Sequence, residues 1–104
     1  VIFLKNKVFF MPERRKTMTT YRIAELRDTA DLMDSTDYKD RFKAEYAQVA
    51  IRYQKLNAML DKWDTGKLEF TPTCPRGVYN LQIRAMADYI AVLEARAAIE
   101  EVEL

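Results

Sequence analysis

The stretch Phe42–Trp63, FKAEYAQVAIRYQKLNAMLDKW, decides the fold. Phe42, Tyr46, Val49, Tyr53, Leu56, Leu60 and Trp63 are spaced 4, 3, 4, 3, 4 and 3. That alternation is an a/d seam sustained for three heptads, the pattern of a helix packed along its length on another helix. Ser35 or Thr36 is placed to cap it. Asp37 and Asp40 fall in its first turn, where the helix dipole favours acids. From Tyr38 to Trp63 the helix spans about 39 Å at 1.5 Å per residue. Gly66 follows, suited to end it in the left-handed conformation.

A second helix of the same kind starts at Pro75, taken as its first helical position. Tyr79, Ile83, Met86, Ile90, Leu93 and Ala97 are spaced 4, 3, 4, 3 and 4. The connection, roughly 64–74, is short enough to make the two helices antiparallel neighbours. Pairing the seams in reverse sets Trp63 beside Tyr79, Leu56 near Met86 and Val49 near Leu93. Leu68 and Phe70 alternate in the connection as a short extended piece. Cys74 is expected as a buried filler beneath it. The fold class is all-α: a long antiparallel helical hairpin over residues 36–104.

This hairpin has more apolar surface than it can bury alone. Leu81, Ala85, Val92, Ala95 and Ile99 form a further stripe on the second helix, and Ile51 lies opposite the seam on the first. A two-helix core is thin. At about 25 cal/mol per Å², a wet stripe of five such residues forgoes several kcal/mol. The expectation is a homo-oligomeric helical bundle with Ile51, Leu81, Ala85, Val92 and Ile99 at the interface. The competing arrangement covers the stripe with the front of the chain in a monomer.

Ahead of the hairpin, residues 19–35 read as a short amphipathic helix. Thr19 or Thr20 is placed to cap it, and Ile23, Leu26, Ala30 and Met33 form its apolar face. Asp28, Asp31 and Asp34 line the other edge as a solvated row; the spacing does not match a calcium loop. Residues 1–18 hold five basic groups and one acid, the rest twelve basic and fifteen acidic. A basic leader on a slightly acidic body lacks the broad basic face of a sequence-blind nucleic-acid binder, which weighs against long nucleic acid as a partner. VIFLKNKVFF at the start suits a short strand and, broken by Lys5 and Lys7, is far short of a membrane span. The first residue is Val, with Met11 and Met18 close behind; either Val stands at an alternative start codon or the leader lies upstream of the native start, and the functional body is expected to begin near Met18.

The chain has no histidine and a single cysteine. His-based triads, His-ligated metals and internal disulfides are therefore excluded. No nucleophile, base and orienting group can be named together, so no catalytic residue, metal site or cofactor is expected. A small anion is the more plausible ligand. Lys62, Lys67 and Arg76 gather at the hairpin tip, interleaved with Trp63, Phe70 and Tyr79. Pro75 at the helix start leaves the amides of Arg76, Gly77 and Val78 facing a positive helix end that attracts phosphate. Gly77 offers close approach, and the rings offer stacking. Residues 39–96 carry ten basic and seven acidic groups. Arg52, Arg84 and Arg96 fall beside the seams, either across a dimer interface or paired on the rim with Glu45, Asp88 or Glu94. The candidate ligand residues are Trp63, Lys67, Arg76, Gly77, Tyr79 and Arg84. The plainer reading of the same tip is a capped core end with solvated cations.

The segments DYKDRFKAEYAQVAIRYQKLNAML, GKLEFTPTCP and MADYIAVLEARAAIEEVEL, in that order, resemble a family of short phage and prophage proteins, crAss-like phages included. The resemblance covers roughly 37–104. It differs at Gly77, where a larger residue is expected. LQIRAMADYIAV is also similar to the second helix of the phage anti-CBASS sponges, with Leu81, Gln82, Met86 and Ala87 in step. Those proteins and the anti-Thoeris sponges are oligomeric helical hairpins that sequester cyclic nucleotide immune signals. An arginine of that helix meets Tyr89 or Ile90 here. The resemblance implies a phage-encoded, non-enzymatic protein of the host cytoplasm that binds itself and a cyclic nucleotide. The alternative from another class is an interaction module whose apolar stripe docks a host or phage protein.

Overall fold

The computed structural model describes residues 23–104. The leader, the strand expected at its start and the caps expected at Thr19 or Thr20 lie outside the described residues. The elements are a 3₁₀ turn at Leu26–Thr29, α1 (Ala30–Met33), α2 (Tyr38–Asp64) and α3 (Arg76–Glu100). All of these are helical. α2 and α3 pack as the expected hairpin, and the front segment packs on α2.

The seams face inward as their spacing requires. Phe42, Tyr46, Tyr53, Ile90, Leu93 and Ala97 form one buried cluster, with Val49, Ile83, Met86 and Ala87 packed against it. Trp63 meets Tyr79 edge to face at 5.9 Å between ring centroids, as the reversed pairing anticipated.

Three tyrosine hydroxyls donate across the hairpin to carboxylates. Tyr46 donates to Glu94 at 2.7 Å, Tyr38 to Glu100 at 3.1 Å, and Tyr89 to Glu45. The donors come from both helices, so the ties run in both directions. Burial, and then the Glu94 carboxylate beside it, push the Tyr46 hydroxyl well above the ordinary tyrosine range. Glu45 and Glu94 are thus engaged with tyrosines. Arg96 pairs with Glu100 at 2.9 Å and lies 4.6 Å over the Phe42 ring.

Both helices end in the same motif. The Lys67 amide donates to the Lys62 carbonyl at 2.7 Å and the Gly66 amide to Trp63 at 3.1 Å, around Gly66 at φ 75°. At the other end the Val102 amide donates to the Ala97 carbonyl at 2.9 Å, around Glu101 at φ 59°. Val102 folds back into the core cluster beside Ala97, the apolar contact typical of this ending. No glycine marks that second turn in the sequence; the buried Val102 holds Glu101 in a conformation that costs a non-glycine residue about 1 kcal/mol.

Four local expectations are corrected. The N-cap of α2 is Asp37, which accepts from the Lys39 amide at 2.9 Å. Ser35 instead accepts from the Asp37 amide and donates to Asp40, building the approach to the cap. Pro75 is the N-cap of α3, in extended geometry, and Arg76 is its first residue. In the front segment Thr29 and Leu32 are buried, while Leu26 and Met33 are exposed. The reason is geometric: a 3₁₀ turn precedes a single α turn, so a 3.6-residue count started upstream selects the wrong face. Thr29 is satisfied there, donating to the Leu26 carbonyl and accepting from Gln48, each at 2.8 Å. Finally, Ile51 is only 3 % exposed. It shares with Ala44 and Ala47 the face of α2 from which Gln48 reaches Thr29, and is inaccessible to a second subunit.

Candidate functional site

The hairpin tip is where the chain reverses, and its geometry follows from two helix ends set side by side. α2 finishes with Asp64, at the negative end of its dipole; α3 begins with Arg76, at the positive end of its own. Each charge is disfavoured by its own helix. They satisfy one another: Arg76 donates from Nη2 to Asp64 Oδ2 at 2.9 Å and from Nε to Oδ1 at 3.2 Å, a bidentate pair. Arg76 also donates to Asn80 one turn on. Its guanidinium lies 5.8 Å from the centre of the Trp63 ring. The hydrogen bond from Arg76 holds the Asp64 carboxyl below the usual carboxylate range, and the same bond raises Arg76.

Of the candidate residues, the structure brings Trp63, Arg76 and Tyr79 together, with Gly77 beside them. α3 begins with no side-chain cap and no acid in its first turn. The Val78 amide is taken by the Pro75 carbonyl at 3.1 Å. A Cβ added at Gly77 would meet nothing within 4 Å, so open space lies in front of this backbone. Phe70 is 57 % exposed at the same end.

Lys67 and Arg84 stand apart. Lys67 projects from the connection, and Arg84 lies two turns along α3, about 12 Å from the level of Arg76 at 1.5 Å per residue. Both are exposed, and among the described residues neither forms an ion pair. Asp61, Asp64 and Glu69 balance Lys62, Lys67 and Arg76 around the tip, so its field comes from placement rather than excess charge. The connection bends at Glu69 and Phe70 and again at Thr73 and Cys74, which interrupts the expected extended piece, and Cys74 is half-buried.

Sequence reasoning missed Asp64 and Asn80 as partners of Arg76. The signals were an acid as the last residue of one helix and an amide four residues after the arginine on the next. Among the described residues no group of acids and cysteine converges to hold a metal ion, and no helix is long and apolar enough to cross a membrane. A family model described as Sequestin matches residues 36–99, nearly the whole hairpin. No curated protein and no solved structure matches the chain.

Proposed function

This chain belongs to the Sequestin family, and from that premise we propose that it is a phage-encoded, non-enzymatic, oligomeric binding protein. It sequesters a small cyclic nucleotide signal in the host cytoplasm and so blunts a host defence. The family name speaks of holding a ligand, and stoichiometric holding lowers free signal without turnover.

The observation that carries the ligand class is Arg76, stacked near Trp63 at the uncapped start of α3. A phosphate arriving there displaces Asp64 as the bidentate partner of the guanidinium. Unlike Asp64, it is favoured by the α3 dipole and by the amides at the helix start. The open side of Gly77 admits it, and Trp63 with Tyr79 supplies faces for a base.

A thermal-shift screen against cyclic dinucleotides, cyclic trinucleotides and cyclic ADP-ribose isomers, at about 100 µM each, tests this through stabilisation of the native state. One member is expected to raise Tm. Arg76→Ala removes that shift, and Asp64→Asn, which frees the guanidinium, enlarges it. A panel without any shift overturns the reading.

A second reading is favoured by Leu81, Val92 and Ile99, exposed at 62 %, 56 % and 79 %. In it the stripe docks a host or phage protein and no nucleotide binds. Its signature is retention of one specific protein by the wild type that Val92→Asp abolishes.

A further inference from the structure

The acids of the described chain gather at one end of the hairpin. Residues 23–45 and 89–104, which make up the base, hold eleven acidic groups and five basic ones. Residues 46–88 hold four acidic and six basic. Several basal acids lack a cation of their own. Asp31 and Asp34 on the front segment, and Glu101 and Glu103 past the end of α3, are exposed, and among the described residues none of them forms an ion pair. Both groups belong to one end, since the Lys39 ammonium at the start of α2 reaches the Glu101 carbonyl at 3.3 Å. The front segment also leaves apolar side chains uncovered beside its acids. Leu26, Ala30 and Met33 are exposed, while Thr29 and Leu32 are buried in the packing on α2.

We propose that residues 1–22 of the same chain seat on this face. They carry six basic groups and one acid, an excess of five positive charges against the base's excess of six negative ones. Lys5 and Lys7 stand between two apolar runs, VIFL and VFF. A contact that covers Leu26 and Met33 with those runs therefore brings ammonium groups to Asp31 and Asp34. No single surface ion pair holds such a contact. Several charges acting together with buried apolar side chains do.

The tether decides the occupant. Arg22 joins the described chain at Ile23, three residues before Leu26. Residues 1–22 are thus presented to the base at an effective concentration in the mM range, ahead of any separate molecule of the same charge. Lys7 and Arg22 are fifteen positions apart, up to about 50 Å of extended chain. Reach therefore leaves the whole base accessible, and charge directs the segment there rather than to residues 46–88, where basic groups outnumber acids. The contact lies at the end of the hairpin opposite the candidate ligand tip and goes beyond the proposed function.

Carbodiimide coupling of the full chain tests it, because the reagent joins a lysine to a carboxylate only where the two meet, and mass spectrometry of the peptides names the pair. Lys5, Lys7 or Lys16 is expected to couple to Asp31 or Asp34, with Glu101 and Glu103 at the margin. At ~0.5 M salt the screening length falls to about 4 Å, and the yield drops roughly threefold or more. In a mixture of 15N-labelled and unlabelled protein, both halves of each link carry the same isotope. Lys5→Glu with Lys7→Glu removes the links from those positions and lowers Tm. Adding Asp31→Lys and Asp34→Lys restores both, with the charges exchanged. Asp31 and Asp34 are exposed, and helical circular dichroism confirms that each variant folds. Absent links, links to Asp61, Asp64 or Glu69 at the tip in their place, or links of mixed isotope overturn the proposal. A charge-exchanged variant that recovers neither links nor Tm does the same. Binding of a single strand of about 20 nucleotides by a chain that gives no basal links also overturns it, and makes residues 1–22 an arm for an external polyanion. Every readout is taken without cyclic nucleotide, so a failed thermal-shift screen leaves this contact standing, and its absence leaves the ligand question standing.

Discussion

The two halves of the hairpin share one seam but differ in what stands behind it. In the base half, α2 is sandwiched between α3 and the front segment. Tyr46, Leu93 and Leu32 are at most 2 % exposed there, and Ala44 and Ala50 are fully buried. In the tip half no third described helix backs either of the two. Beyond Tyr53, Leu60 alone of the seam residues is buried, while Leu56, Trp63, Tyr79, Ile83 and Met86 are half-buried. The same heptad pattern therefore yields a packed core where a third layer is present and a two-helix contact where it is absent. The difference separates support from binding: the base holds the helices in register, and the tip leaves rings and a guanidinium open to a ligand.

Truncation tests this contrast most strongly. Leu93→Ala is expected to cost about 3 kcal/mol. Ile83→Ala, at an equivalent seam position in the tip, is expected to cost about half as much because its side chain is already part wet. Urea denaturation of the two variants reads the difference. Equal costs would show that the tip is covered in solution.

Tyr46→Phe comes next, at about 2 kcal/mol for a part-buried hydrogen bond to a carboxylate. It also changes the alkaline limb of stability. The folded hydroxyl titrates above the unfolded one, so its contribution is intact below pH 10. It falls as pH climbs past that point, because the unfolded tyrosine loses its proton first. In the phenylalanine variant this part of the alkaline loss disappears. A limb unchanged by the substitution would place the loss in Tyr89 or elsewhere.

Smaller effects come from the turns. Glu101→Gly is expected to stabilise the base by about 1 kcal/mol, since glycine adopts the left-handed ending freely. The Lys39 ammonium donates to the backbone carbonyl of residue 101, so that contact survives. Gly77→Ala is expected to stabilise the tip by roughly 0.5–1 kcal/mol through helix propensity. If the start of α3 receives a phosphate, the same variant weakens nucleotide binding while raising Tm. Melting curves with and without the ligand separate the two.

The hairpin was legible because a seam is written in side chains at fixed spacing, and Phe42 to Trp63 could be arranged as little else. Gly66 was legible for the same reason: glycine states its backbone preference outright. Glu101 was not, because its conformation is imposed by Val102, whose burial depends on the finished fold. The front segment was misread because Leu26 and Met33 carry an α-helical count into a 3₁₀ turn. Ile51 reads as an interface residue because no sequence signal says that the front segment, with Thr29 bonded to Gln48, lies over that face. At the tip, the aromatic and basic residues could be gathered in advance from the reversal of the chain. The engagement of Arg76 by Asp64 could not, since it depends on two helix ends lying within one side chain of each other.

The cross-ties of the hairpin give its two ends different responses to salt. At the base the donors to Glu94, Glu45 and Glu100 include neutral hydroxyls, and a bond from a hydroxyl does not rest on two opposed charges. At the tip the Arg76–Asp64 clasp is a partly exposed ion pair, and at ~0.1 M salt the screening length is about 10 Å. Rising ionic strength therefore slackens the clasp while the base stays closed. The guanidinium is loosened from its resting partner without the molecule unfolding, and the ionic medium itself helps set how readily the tip exchanges a carboxylate for an incoming phosphate.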